Sequence, residues 1–189
     1  MNAFFHSVTL RTAGYDSIGA GNLHDSSKIL SVIFMFIGAS PASTGGGIKT
    51  TTMFLLIMLV YTIVMNKDEV VAYKHRIPHQ LVLKAIAIVI ISLFVVLLSS
   101  VLLSIFEQDN PNTASYDYVD MLFESASAFG TVGVSTGMTG SLTLPSKILL
   151  MITMFIGRIG PLPLTIALSR HSSPQKSSVK YPEGRIIIG

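Results

Sequence analysis

Two short runs of small and hydroxylated residues, Thr12-Ala13-Gly14-Tyr15 and Thr131-Val132-Gly133-Val134, carry the chemistry of this chain. Each offers a threonine hydroxyl and successive backbone carbonyls, the groups that replace water around a dehydrated cation. The glycine in each run takes positive φ at little steric cost, so neighbouring carbonyls can turn the same way. Taken singly, either run also reads as a plain glycine and threonine loop between helices. A third run, Ser40-Pro41-Ala42-Ser43-Thr44-Gly45-Gly46-Gly47 followed by Lys49, interrupts a long apolar tract, and Arg158 lies deep in another.

These residues need elements to hold them, and an internal repeat supplies the pattern. A shift of 119 positions lays Ser27-Lys28-Ile29-Leu30 on Ser146-Lys147-Ile148-Leu149 and Met35-Phe36-Ile37-Gly38 on Met154-Phe155-Ile156-Gly157. The same shift lays Thr12 to Tyr15 on Thr131 to Val134. One ungapped offset thus aligns both glycine loops and the apolar segments after them, which points to two copies of one unit. Each unit reads as a short helix entering the membrane, a filter-like loop and an inner helix. Asn2 to Thr9 ends the first short helix, and Tyr116 to Ala128 forms the second, too short to cross a bilayer.

Half the residues are hydrophobic and only 12% are charged, where roughly 25% is usual for a soluble domain. With a mean hydropathy of +0.62, the composition indicates an integral membrane protein. There is no cysteine, so disulfides and thiolate metal sites are excluded. The net charge of +3 comes from basic residues in short loops, where they set topology and do not indicate nucleic-acid binding. Lys67, Lys74, His75 and Arg76 place residues 66–80 in the cytoplasm, while Glu107, Asp109 and Asp117 place the opposite connection outside. Met1 to Gly14 lacks a basic segment followed by an apolar core, so no cleavable signal is visible.

Ile29 to Met65 would run about 55 Å as one helix, against a hydrocarbon core of roughly 30 Å. Pro41 and the three glycines must therefore break it. Irregular backbone at membrane depth has to be buried in protein or line a cavity, which puts this loop below the filter in the permeation path. Thr44 to Thr50 resembles a phosphate-binding loop, but Ile48 separates glycine from lysine and no strand precedes it. Lys49 reads either as a cation that blocks the path or as a snorkelling side chain. Leu81 to Phe106 is the next outer helix and Leu144 to Ile166 the last span. Within that span Arg158 falls on Ala39 under the repeat, so it is expected beside the start of the loop.

Four further groups have paired readings. His6 is a hydrogen-bonded spacer or a proton or metal site. Asp16 concentrates cations at the outer mouth or merely caps its loop. Glu124 is a functional carboxylate at membrane depth or a brace for the loop that follows it. Lys176, Lys180, Arg185 and Ile186 to Ile188 form a polar tail that packs on a partner or stays unstructured.

The runs Thr9 to Tyr15, Ser43 to Thr52, Ser127 to Thr136 and Gly157 to Leu162 together resemble the Trk/Ktr/HKT family of potassium transporters, most closely the Ktr branch. The resemblance covers most of the chain. Leu10 departs from it, since the family often has proline there. The fold it implies is an all-α integral membrane protein of helix, pore-helix, filter and helix repeats, with one broken inner helix. The third repeat would be partial at residues 1–66, with a cytoplasmic loop at 67–80, the fourth repeat at 81–170 and a cytoplasmic tail at 171–189. The expected function is potassium uptake across the cytoplasmic membrane, with no enzymatic activity and no cofactor beyond the transported K+. Thr12, Ala13, Gly14, Tyr15, Thr131, Val132, Gly133 and Val134 would bind the ion. Ser40, Ser43, Thr44, Gly45, Gly46, Gly47, Lys49 and Arg158 would gate it. The resemblance also implies a homodimer and a cytosolic, nucleotide-binding, KtrA-like regulatory subunit, and for Ktr systems stimulation by sodium. Because the first unit lacks its outer helix and four loops are needed around an ion, the sequence is expected to be part of a protein with about twice as many repeats. A coupled cation symporter and a truncated non-conducting subunit are the alternatives.

Overall fold

The computed structural model describes residues 2–41, 43–67, 69–72 and 75–160, and the chain there is mostly helical. Among the described residues six α-helices follow one another: α1 (Asn2–Thr9), α2 (Asp25–Phe36), α3 (Thr50–Val64), α4 (His79–Glu107), α5 (Tyr118–Gly130) and α6 (Leu144–Ile159). The helix expected over Tyr116 to Ala128 is α5, displaced by two residues because Asp117 and Asp120 form a reciprocal capping box at its start. At its other end Thr131 closes the helix in the left-handed conformation, φ 51°.

The Ile29 to Met65 tract is broken between α2 and α3, over residues 37–49. Ile37 and Ile48 pair as a parallel bridge, with Gly38 N–H donating to Ile48 O at 2.9 Å and Ile48 N–H to Phe36 O at 3.1 Å. Parallel pairing means that the chain leaves and re-enters in the same direction, so the excursion is a loop pinched at its neck.

Two expectations need correction. The connection at 67–80, expected as a loop, holds a small antiparallel ribbon in an otherwise helical chain, β1 (Val71–Ala72) with β2 (His75–Arg76), paired Val71 to Arg76 and Ala72 to His75. Two residues on each strand are too few to carry a usable period, so local pairing decides the conformation. The last span does not run unbroken to Ile166 either. α6 stops at Ile159, since Gly160 adopts φ 82° and Pro161 follows. The remainder of that span and the tail with Lys176, Lys180 and Arg185 lie outside the described residues.

α5 is the centre of the packing, in contact with α2, α4 and α6. Phe123, Ala126 and Phe129 on it bury against Leu10, Met35, Val96, Val132 and Val134. Met121 and Ala128 meet Leu103, Met138, Leu142 and Leu150 on another side. Leu10, at the position where the resemblance has proline, is thus a core side chain. Among the described residues α4 is long and apolar enough to cross a membrane, at 29 residues. Serines interrupt its otherwise apolar buried face: Ser99 bonds Thr153 of α6 at 2.8 Å and Ser100 bonds the Tyr118 hydroxyl at 2.9 Å. Hydroxyl pairs of this kind hold helices together where the surroundings are as apolar as the side chains.

Charged groups complete the frame. Lys28 of α2 and Asp120 of α5 form a 2.7 Å ion pair with side chains 8% and 7% exposed. At the far end of α4, Glu107 accepts from the Thr143 N–H at 2.9 Å and the Thr143 hydroxyl at 2.7 Å, and also from Ser146. A carboxylate on α4 therefore satisfies the free donors at the start of α6, and the helix dipole favours its charge there.

Candidate functional site

The two glycine loops follow the C-termini of α1 and α5 and share an unusual backbone. Thr12 (φ 63°) and Thr131 (φ 51°) are both left-handed, as are Gly14 (φ 76°) and Gly133 (φ 92°). Among the described residues, Asn66 is the only other non-glycine with positive φ. A threonine in this region costs about 1–3 kcal/mol, so its recurrence at equivalent positions points to a purpose other than stability.

A hydroxyl from the preceding helix fixes the far carbonyl of each loop. Thr9 Oγ1 donates to Tyr15 O at 2.6 Å, and Ser127 Oγ donates to Val134 O at 2.6 Å. The acceptors are repeat-equivalent, whereas the donors differ by one position, which concealed the pairing from a sequence comparison. Each carbonyl keeps a second lone pair, so the bond orients it without using it up.

The loops are braced differently. In the first, Asp16 accepts from the backbone N–H groups of Ile18, Gly19 and Ala20 within 3.0 Å. Burial raises the Asp16 pKa, but the donors of Ala20, Ile18 and Gly19 outweigh it and, with the charge of His6, hold it below the ordinary 3.8. In the second, Glu124 reaches up from α5. Its Oε1 accepts from Thr136 N–H at 3.0 Å and from the Ser135 and Thr136 hydroxyls, and its Oε2 from Thr139 at 3.0 Å. Glu124 is thus a brace for the loop. His6 has the spacer geometry, with Nε2 3.4 Å from Ser31 Oγ.

The structure brings the two loops together. A Cβ on Gly14 would strike the Val132 carbonyl oxygen, and one on Gly133 would stand 3.6 Å from Gly14 Cα. Thr12, Gly14 and Thr131 are half-buried, while Ala13, Tyr15 and Gly133 are exposed. Val132 and Val134 turn their side chains into the core.

The broken segment lies against both loops. Gly46 N–H donates to Thr131 Oγ1 at 2.8 Å, and a Cβ on Gly45 would lie 2.8 Å from Thr12 Oγ1. Gly46 has to lack a side chain, since a Cβ there would fall 2.7 Å from the Thr131 hydroxyl. Lys49 folds back on the segment, its ammonium donating to Ser43 O at 3.0 Å and Gly45 O at 2.8 Å. Ser40 O accepts from Ser43 N–H at 3.1 Å, and Ser43 Oγ from Gly45 N–H at 3.3 Å. Thr44 is exposed, and Gly47 takes φ 74°. Arg158, on the last turn of α6, is exposed and makes no hydrogen bond or ion pair with the segment among the described residues. The cation that grips the loop is Lys49.

The sequence matches the TrkH cation transport protein family over residues 1–181. The chain belongs to the TrkH family. That is a family of cation transport proteins and not of enzymes, and it places the chain in a membrane. The TrkH-family chain is 36% identical over 187 residues to Ktr system potassium uptake protein B of Bacillus subtilis, covering 99% of itself and 40% of that protein. It is 37% identical to the protein of the same name from Vibrio alginolyticus, covering 99% and 39%. It is 36% identical to the potassium/sodium uptake protein NtpJ of Enterococcus hirae, covering 100% and 41%. The chain therefore spans about two-fifths of the length of these relatives. Its fold resembles the crystal structure of the potassium transporter TrkH from Vibrio parahaemolyticus, with a TM-score of 0.66 at 20% identity over 88% of this chain and 36% of the other.

Proposed function

We propose that this chain is part of a potassium uptake protein that crosses the cytoplasmic membrane several times, and that its two glycine loops line one side of the ion path. The carrying observation is the pair of left-handed threonines with their left-handed glycines, held against each other and fixed by hydroxyls from α1 and α5. The names of the Bacillus and Vibrio relatives supply the ion.

On this reading α1 and α5 are pore helices and Thr12 to Tyr15 and Thr131 to Val134 are filter quarters. Their carbonyls and hydroxyls stand in for the hydration shell of a passing cation, prearranged so that dehydration needs little movement. The broken segment is the gate. Lys49 neutralises the carbonyls of Ser43 and Gly45 and puts a positive charge beside the path, which raises the barrier to a cation. Arg158 acts through its fixed charge alone in this arrangement. A second copy of the chain and a cytosolic nucleotide-binding subunit are the partners proposed, the latter acting on the gate. The sodium in the name of the Enterococcus relative makes sodium the second cation to test.

The test is potassium uptake by the assembled protein carrying Lys49→Gln or Arg158→Gln, at equal membrane abundance. Both should raise uptake velocity, with Lys49→Gln the stronger because it also releases two carbonyls. Slower uptake in both would make the segment a structural brace and not a gate.

A further inference from the structure

The β1–β2 ribbon offers a site that the proposed ion path does not use. A cavity of about 320 Å³ opens between the end of α3, the β1–β2 ribbon and the start of α4. Its basic wall is Lys67, Arg76 and His79, its acidic member is Glu69, and Thr62 and Ile63 belong to its floor. Glu69 holds Arg76 Nη2 at 2.9 Å, which leaves the remaining donors of that guanidinium facing outward. Lys67 lies 4.9 Å over the Tyr61 ring, and no hydrogen bond or ion pair engages its ammonium or the His79 ring among the described residues. Among the described residues, two cations and a histidine thus face one carboxylate.

The position of this cavity decides what fills it. It lies where two apolar helices end together, α3 at Val64 and α4 at His79. Tyr61 is 45% exposed there, and tyrosines are enriched at the bilayer interface. Directly beside the basic wall, Val60, Ile63 and Val64 are 60%, 67% and 73% exposed and present an apolar flank. A ligand that fits must carry a negative head and a long apolar body side by side. An inorganic anion lacks the apolar body, and a phospholipid has both parts.

We infer that this cavity binds the phosphate headgroup of an anionic phospholipid of the cytoplasmic leaflet. The phosphate sits between Lys67 and Arg76, the first turn of α4 adds its positive end, and the acyl chains run along Val60 and Val64. The inference needs only that α3 and α4 lie in a bilayer with the β1–β2 ribbon on its cytoplasmic side, as its basic residues favour. It stands or falls independently of whether the glycine loops conduct potassium.

Native mass spectrometry of the assembled protein in detergent tests it, with phosphatidylglycerol or phosphatidylcholine of matched acyl chains added in steps. Each basic side chain near an anionic headgroup is worth about a factor of five, so phosphatidylglycerol should bind roughly tenfold tighter or better. The Lys67→Gln, Arg76→Gln double variant should bring the ratio close to one, and Lys67→Arg with Arg76→Lys should preserve it. Should the glutamine variant fold poorly, raising salt to about 1 M on the parent chain screens the same charges and should shrink the preference. Equal binding of the two lipids by the parent, or a preference that survives both the glutamines and the salt, overturns the site. Displacement of phosphatidylglycerol by millimolar inorganic phosphate would show a soluble-phosphate site and overturn the lipid assignment.

Discussion

Gly46 donates its backbone N–H to the hydroxyl of Thr131 over 2.8 Å, across 85 residues of sequence. One bond thereby joins the broken segment between α2 and α3 to the loop that ends α5. On the proposed reading it ties gate to filter, so a change in one is felt by the other. Removing it through Thr131→Val should shift the gate toward its open state by about fivefold, the equivalent of roughly 1 kcal/mol for a single hydrogen bond. Thr131→Ser keeps the hydroxyl and should behave as the parent. Uptake velocity measured for the two variants side by side checks this, and identical velocities would remove the latch.

Lys28 and Asp120 tie α2 to α5 through a buried pair, and α5 carries the second glycine loop. Removing one partner leaves the other charge without compensation, at a cost of about 3–5 kcal/mol. Lys28→Met should therefore lower the thermal midpoint in detergent by several degrees, and more than Lys147→Met. Lys147 is the equivalent residue in the repeat, yet among the described residues it reaches only the Gly140 carbonyl at the surface.

The Asp16 carboxylate has a depressed pKa, so its contribution to stability is present above its ordinary value of 3.8 and is lost as pH falls through the lower folded value. Asp16→Asn should be less stable than the parent at neutral pH. The gap should close as the solution is taken well below pH 3.8. Thermal midpoints of both proteins across that range give the comparison.

How much of this could be read in advance depends on the range of each interaction. Pro41 and Gly45 to Gly47 announce the break after α2 because they act on their own backbone, and Gly14 and Gly133 announce positive φ for the same reason. The capping box of α5 is likewise local. Lys28 with Asp120, 92 residues apart, left no trace, because partner choice over that distance depends on packing and carries no period. Glu107 was legible only as an external charge, and its role as the cap of α6 needed the fold. Lys49 gave two readings from sequence, and its bonds to Ser43 and Gly45 give it a third, as the clamp of its own loop.

The central claim is that Gly14 and Gly133 shape an ion path, and the two glycines are not equally crowded. Both have positive φ, where a side chain is strained by about 1–2 kcal/mol, but only at Gly14 would a Cβ also strike the Val132 carbonyl oxygen. The measurement is the potassium-to-sodium permeability ratio of the assembled protein in liposomes, for Gly14→Ser, Gly133→Ser and the parent. The account predicts a lower ratio in both variants, with Gly14→Ser the more severe. Ratios equal to the parent's in both, at equal protein abundance, would contradict it.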